Sequence, residues 1–207
     1  MFGLTEKEFA VLKKLSTPEK IQDFLDTLPI NHEPDGDTCM SPRQVLKVRK
    51  AHCIEGAMVA AAALLIQGQP PLLLDLKTLP CDVDHVVALY KCNGYWGAIS
   101  KTNHAVLRFR DPVYRTVREL ALSYFHEYVL IRTGQKTLRS YSVPFSLQRY
   151  GTDWITATED VWYVAYAIDA IRHFPLVPEK NKRFIRKISP LEMKVGQAVE
   201  WKKPGLT

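Results

Sequence analysis

The apolar positions of this chain fall first into helical spacing, then into short strand-like runs, then into helical spacing again. Thr5 precedes a run with Phe9, Leu12 and Leu15 on one face, which predicts a helix to about Leu15. Thr17-Pro18-Glu19 restarts the chain with a cap, a proline in the first turn and an acid behind it. That helix turns Ile21, Phe24, Leu25 and Leu28 inward and stops before Pro29. Residues Ile30–Cys39 collect turn formers and read as a long loop, and long ordered loops tend to be functional. Ser41-Pro42 caps a helix to about Lys50, and a further helix runs from His52-Cys53 to Gly68. Its many alanines let neighbours approach on every side, so it is expected to be central and buried.

Short apolar runs follow. Leu72–Lys77, His85–Lys91 and Tyr95–Ser100 read as strands, the last two joined by an Asn93-Gly94 hairpin turn. Ala105–Arg110 is expected as a third antiparallel strand. Helical spacing returns from Arg115 to about Leu130, and again from Thr158-Glu159-Asp160 to about His173, with an edge strand between them at Thr137–Ser142. From Pro178 on there is no sustained period. Helices, then strands, then helices predict an α+β fold: a central cysteine-bearing helix packed on an antiparallel sheet, with flanking helices. The expected division is an α+β domain over 1–176 and a basic C-terminal extension over 177–207.

Composition narrows the function classes. At 46% apolar and 24% charged residues, the chain of 207 is ordinary globular protein. Its longest apolar run, Ala57–Ile66, is about half of the ~20 residues a membrane span needs, so no membrane partner is expected. The N-terminus has no basic stretch followed by an apolar one, which points to a cytoplasmic protein whose four cysteines are thiols. The net charge of +6 is uneven: residues 177–207 hold eight Lys/Arg against three Glu, and the rest is nearly neutral. Such a tail can bind nucleic acid or another anionic partner, but it lacks the interleaved aromatics that stack on bases.

The chemistry concentrates at Lys50-Ala51-His52-Cys53-Ile54-Glu55-Gly56-Ala57. A cysteine at a helix N-terminus sits beside unpaired N–H groups and the positive end of the dipole, which favour a thiolate. The same N–H groups can hold an oxyanion. A thiol so placed needs a base, and the base needs an orienting partner. His85 opens the first hairpin strand and is the candidate base. His52 is set aside because adjacent helix-start residues point in different directions. Glu55 reads as a first-turn acid complementing the dipole. A zinc site from Cys81, His85 and Cys92 lacks a fourth ligand.

Ala51-His52-Cys53 with Ala57, then Asp84-His85-Val86-Val87-Ala88-Leu89-Tyr90, then the hairpin through Tyr95-Trp96-Gly97, resembles the transglutaminase-like cysteine proteinase superfamily, papain-like in core geometry. The resemblance spans about residues 30–112. It implies a transglutaminase/papain-like fold and thiol-dependent acyl transfer or amide hydrolysis through a Cys53 thioester. The substrate would be a peptide, protein or amide, and no metal or organic cofactor is implied. Ala51 stands where the family often has Gly, Val87 where it often has an aromatic, and Ser100 at the offset of its Asp. The third catalytic member is therefore open between Asn103, which is preferred, Asp111 of the Asp111-Pro112 dipeptide, and Ser100 as a neutral partner. Asn31 is the candidate side-chain oxyanion donor beside the Cys53 N–H. Two rivals stand against catalysis: a non-catalytic binding module on the same fold, and anionic-partner binding through the basic tail.

Overall fold

A computed structural model describes residues 1–202 of the chain; residues 203–207 of the basic extension lie outside the described part. The N-terminal third is helical: α1 (Glu6–Lys14), α2 (Pro18–Asp26), α3 (Pro42–Val48) and α4 (Cys53–Ile66). Thr5, Thr17 and Ser41 each accept a backbone N–H as side-chain caps, as their positions before the apolar periods dictate. The loop from Ile30 to Met40 is irregular and packs back on the start of α4.

Three strands follow in antiparallel succession: β1 (Leu72–Lys77), β2 (His85–Cys92) and β3 (Tyr95–Ile99). The β2–β3 turn is the one Asn-Gly demands, with both Asn93 and Gly94 at positive φ (49° and 85°). The next strand, β4, is Arg110–Tyr114 rather than the expected Ala105–Arg110. It pairs with β3 at the sheet edge, the position in a sheet where a proline such as Pro112 is tolerated. Residues 101–109 form an irregular connection instead, with Leu107 at φ +61°.

Beyond it come α5 (Val117–Ser123), the small hairpin β5 (Val129–Leu130) and β6 (Gln135–Lys136), then β7 (Ser140–Ser142) and β8 (Phe145–Ser146). After them lie α6 (Asp153–Thr156), α7 (Trp162–Ala170), β9 (His173–Pro175) and α8 (Pro190–Gly196). The predicted helix over 115–130 is thus cut short at Ser123, and that over 158–173 starts at Trp162 and ends in a strand. The main sheet runs β4-β3-β2-β1-β7-β9, with β8 also pairing β1. It is antiparallel throughout, so the chain is an α+β protein with an antiparallel sheet. Among the described residues no helix is long and apolar enough to cross a membrane.

Both faces of β1 and β2 are covered. Leu73, Val86, Ala88 and Tyr90 join α4 and the N-terminal helices in one core, and Leu74, Val87 and Leu89 join α5 in the other. Burial on both faces is why these strands read as apolar runs and not as clean alternation. In α4 eleven of fourteen residues are buried. Gly56 lets this helix touch the chain leaving β3: a Cβ there would lie 2.4 Å from Lys101 Cβ. Gly→Ala inside a helix normally gains about 1 kcal/mol. Here that gain is set against an overlap costing about 1–3 kcal/mol. Gly56→Ala is expected to lower the melting temperature; a rise would show that the segment yields without strain.

Candidate active site

The start of α4 is fixed from below and from the side. Asn31 N donates to Ala51 O at 3.0 Å and Ala51 N to Pro29 O at 3.1 Å, so the chain before the helix runs parallel to the loop. Glu55, wholly buried, ties the two together. It accepts from Thr38 Oγ1 at 2.7 Å, from Met40 N at 3.0 Å and from His52 N at 2.9 Å. The expected dipole-complementing acid is therefore also the clamp that shapes the loop. The first bond within α4 runs from Gly56 N to His52 O at 2.9 Å, so the N–H groups of Cys53 and Ile54 have no acceptor in the helix.

Two imidazoles flank Cys53. His85, buried at the start of β2, meets Ser100 Oγ through Nε2 at 2.8 Å. Ser100 Oγ also lies 2.6 Å from Leu107 O, and a carbonyl only accepts. The single hydroxyl proton therefore goes to Leu107, and Ser100 accepts from His85 Nε2–H. That leaves Nδ1 as the basic nitrogen of neutral His85. Ser100 is itself held by Gln22 of α2, which accepts from Ser100 N at 2.9 Å and donates to Ser100 O at 2.8 Å. On the other side His52 brings Nδ1 to 4.0 Å from Cys53 Sγ, while its Nε2 donates to Thr38 O at 2.8 Å. Burial alone would push the Cys53 thiol up; the hydrogen bonds and charges of His52 and His85 outweigh it and bring the thiol well below its ordinary range. By contrast Cys39 is buried without such partners and is pushed up to about 12. All four cysteines are free thiols, with Cys81 and Cys92 exposed.

Cys53, His52 and His85 open into a cleft of about 400 Å³, walled on its apolar side by Ile30, Val83, Val106, Leu107, Val129 and Ile131. The structure thus brings Cys53 and His85 into one cleft, but it distributes the other predicted residues differently. Asn103 does not reach His85. Its amide is committed to the backbone of Trp201, donating to Trp201 O at 2.9 Å and accepting from Trp201 N at 2.8 Å. Asp111 is exposed on edge strand β4, because that strand begins at Arg110 and carries it away from β2. Ser100, the neutral alternative, takes the place beside His85.

Asn31 is buried and turned from the cleft. Its amide donates to Thr38 Oγ1 at 2.8 Å, so it is no oxyanion donor. Its neighbour His32 lines the cleft instead, with Nε2 buried and without a hydrogen-bond partner among the described residues. His32, Gln22 and the clamp role of Glu55 were missed from the sequence, and His52 was set aside. Only extended geometry through Ile30–His32, which puts alternate residues on opposite sides, offered a signal for His32.

The C-terminal extension is docked, not free. Ile188 N donates to Gly134 O, Ala105 N to Ala198 O and Glu200 N to Asn103 O, at 2.9–3.1 Å. Arg108 pairs with Glu200 at 2.9 Å, and Gly196, at the end of α8, lines the cleft.

For a metal, the described residues offer Asp75, Asp84 and Asp169, one oxygen of each lying within 4.8 Å of the others. Each already has a protein partner: His173 at 3.0 Å on Asp75, Thr78 N at 2.7 Å on Asp84, and Lys77 on Asp169. No protein-family model matches the chain, and no curated protein matches it significantly.

Proposed function

We propose that the protein performs thiol-dependent acyl transfer or amide hydrolysis through a Cys53 thioester, on a transglutaminase/papain-like fold in which Ser100 stands where the family places a carboxylate or amide. The observation that carries this reading is the Cys53 thiol at an open helix N-terminus, 4.0 Å from His52 Nδ1 and in one cleft with a His85 whose tautomer Ser100 fixes. His85 Nδ1 takes the Cys53 proton, Sγ attacks the carbonyl carbon, and the C=O π pair moves onto oxygen. The Cys53 N–H holds that oxyanion. As the pair returns and the C–N bond breaks, imidazolium His85 protonates the departing amine. Water or a second amine then attacks the thioester, gives its proton to His85 and releases the thiolate. The apolar wall suits an acyl group with an apolar substituent next to the reacting carbonyl.

Limiting iodoacetamide at pH 6, with each cysteine mapped by mass spectrometry, tests the nucleophile. Cys53 is expected to label at least ~10-fold faster than the more exposed Cys81 and Cys92, because thiolate fraction outweighs exposure. With p-nitrophenyl acetate as probe, the acetyl group is expected on Cys53 and to turn over. Cys53 labelling no faster than the exposed pair, or acetylation elsewhere only, would sink the reading and leave a binding module.

A further inference from the structure

We propose that His52 is a second catalytic histidine, the group that holds the Cys53 proton in the resting enzyme, leaving His85 to serve the leaving amine. The inference rests on the nucleophile reading above and deepens it.

The argument starts from hydrogen-bond capacity. Thr38 O can only accept, so the 2.8 Å contact fixes a proton on His52 Nε2. The lone pair of neutral His52 is then on Nδ1, the nitrogen 4.0 Å from Cys53 Sγ. Moving the thiol proton to Nδ1 breaks S–H and forms N–H, giving thiolate and imidazolium with no other reactant. The side chain reaches the sulfur because His52 is not helical. As the N-cap its backbone is extended (φ −98°, ψ −170°), which lifts the helix rule that sends adjacent side chains apart.

Charge favours His52 as the resident cation. Glu33 Oε1 and Glu55 Oε1 each lie 3.4 Å from its Nε2, so the imidazolium has carboxylates behind it and the thiolate in front. His85 has the hydroxyl of Ser100 at its Nε2, and among the described residues no carboxylate lies within ion-pair distance of it. Burial alone would lower His52, but the Cys53, Glu55 and Thr38 interactions overcome it and push it up to about 10. The groups facing this pair are Glu33 of the loop, Glu55 of α4 and His85 of β2. The charges of Cys39 and Tyr128 also couple to the sulfur. A sulfur between two imidazoles passes the proton on: His52 Nδ1–H returns it to Sγ and His85 Nδ1 takes it from there, leaving neutral His52 and an imidazolium His85 facing the leaving amine.

The test uses the full chain and the pH profile of Cys53 alkylation by iodoacetamide in wild type, His52→Gln and His85→Gln. His52→Gln is expected to raise the midpoint by about 2 units, a loss of about 100-fold in thiolate well below it. His85→Gln is expected to raise it by less, yet to abolish turnover of the acetyl-enzyme. If His52→Gln leaves the midpoint unmoved while His85→Gln raises it, His52 is structural and only this proposal falls. If wild-type Cys53 itself titrates like an exposed thiol, the nucleophile reading falls with it. Should His52→Gln not fold, nitrogen NMR of the imidazole in wild type and Cys53→Ala replaces it. Removing the thiolate is expected to lower the His52 midpoint by at least ~1 unit, because the coupling is reciprocal. An unchanged midpoint overturns the proposal.

Discussion

Replacing Glu55 by alanine is expected to lower the free energy of unfolding by about 3–5 kcal/mol, the range for removing one partner of a buried charged network. The carboxylate is wholly buried and accepts from Thr38 Oγ1, Met40 N and His52 N. Alanine leaves Met40 N and His52 N without an acceptor, while the Thr38 hydroxyl can turn to Glu33 Oε1 at 3.3 Å, and orphaned buried donors cost about 1–3 kcal/mol each. Glutamine is no full rescue: its single oxygen can serve one side of the network, and its NH₂ then faces a donor on the other. An intermediate loss is expected for Glu55→Gln. Urea denaturation with both variants measures the series, and faster hydrogen exchange at Met40 N–H locates the damage in the loop. A loss under about 1 kcal/mol for Glu55→Ala would mean that water reaches the network and satisfies it.

The same network explains what the sequence could disclose about the site and what it could not. Cys53 was legible as a helix start because the Ala-rich run needs a beginning and Gly68 an end. His85 was legible because β2 is an apolar run whose first residue is polar. Both signals are local. The residues that position the two are polar groups buried by distant partners: Gln22 by Ser100 and Glu55 by residues 38–40. Asn103 illustrates the limit. Its place after β3 is what an orienter requires, yet its amide is matched to a backbone segment 98 residues on, which no period announces. In the same way the expected strand Ala105–Arg110 alternates correctly. Its residues are instead spent on Ser100, which takes Leu107 O, and on the extension, which takes Ala105 N.

Lys101 carries the second large effect. At the end of an antiparallel strand a lysine would ordinarily be solvated, but this one is fully buried. Its Nζ donates to Leu25 O at 3.0 Å and to Leu28 O, carbonyls at the C-terminal end of α2. Burial holds its ammonium below the usual lysine range, so the group is costly in its charged form and is kept by those bonds. Lys101→Ala removes a packed stem at about 0.8 kcal/mol per methylene and leaves Leu28 O without a donor at about 1–3 kcal/mol. Relief from burying the charge offsets part of this, and the expected net loss is about 3 kcal/mol. Leu25 O suffers less, since Leu28 N also donates to it at 3.1 Å.

Lys101→Met separates the two contributions. It restores most of the stem and none of the bonds, so its loss is expected to be about half, near 1–2 kcal/mol. Equal losses for the two variants would assign the whole effect to the carbonyls; no loss in Met would assign it to packing. The consequence for the site follows from position. Lys101 lies against Gly56 of α4 and next to Ser100. Loosening it lets the β3 end move relative to the cysteine helix. If the roles proposed for His85 and His52 hold, Lys101→Met is expected to slow acetyl-enzyme turnover while leaving the alkylation midpoint of Cys53 nearly where it was.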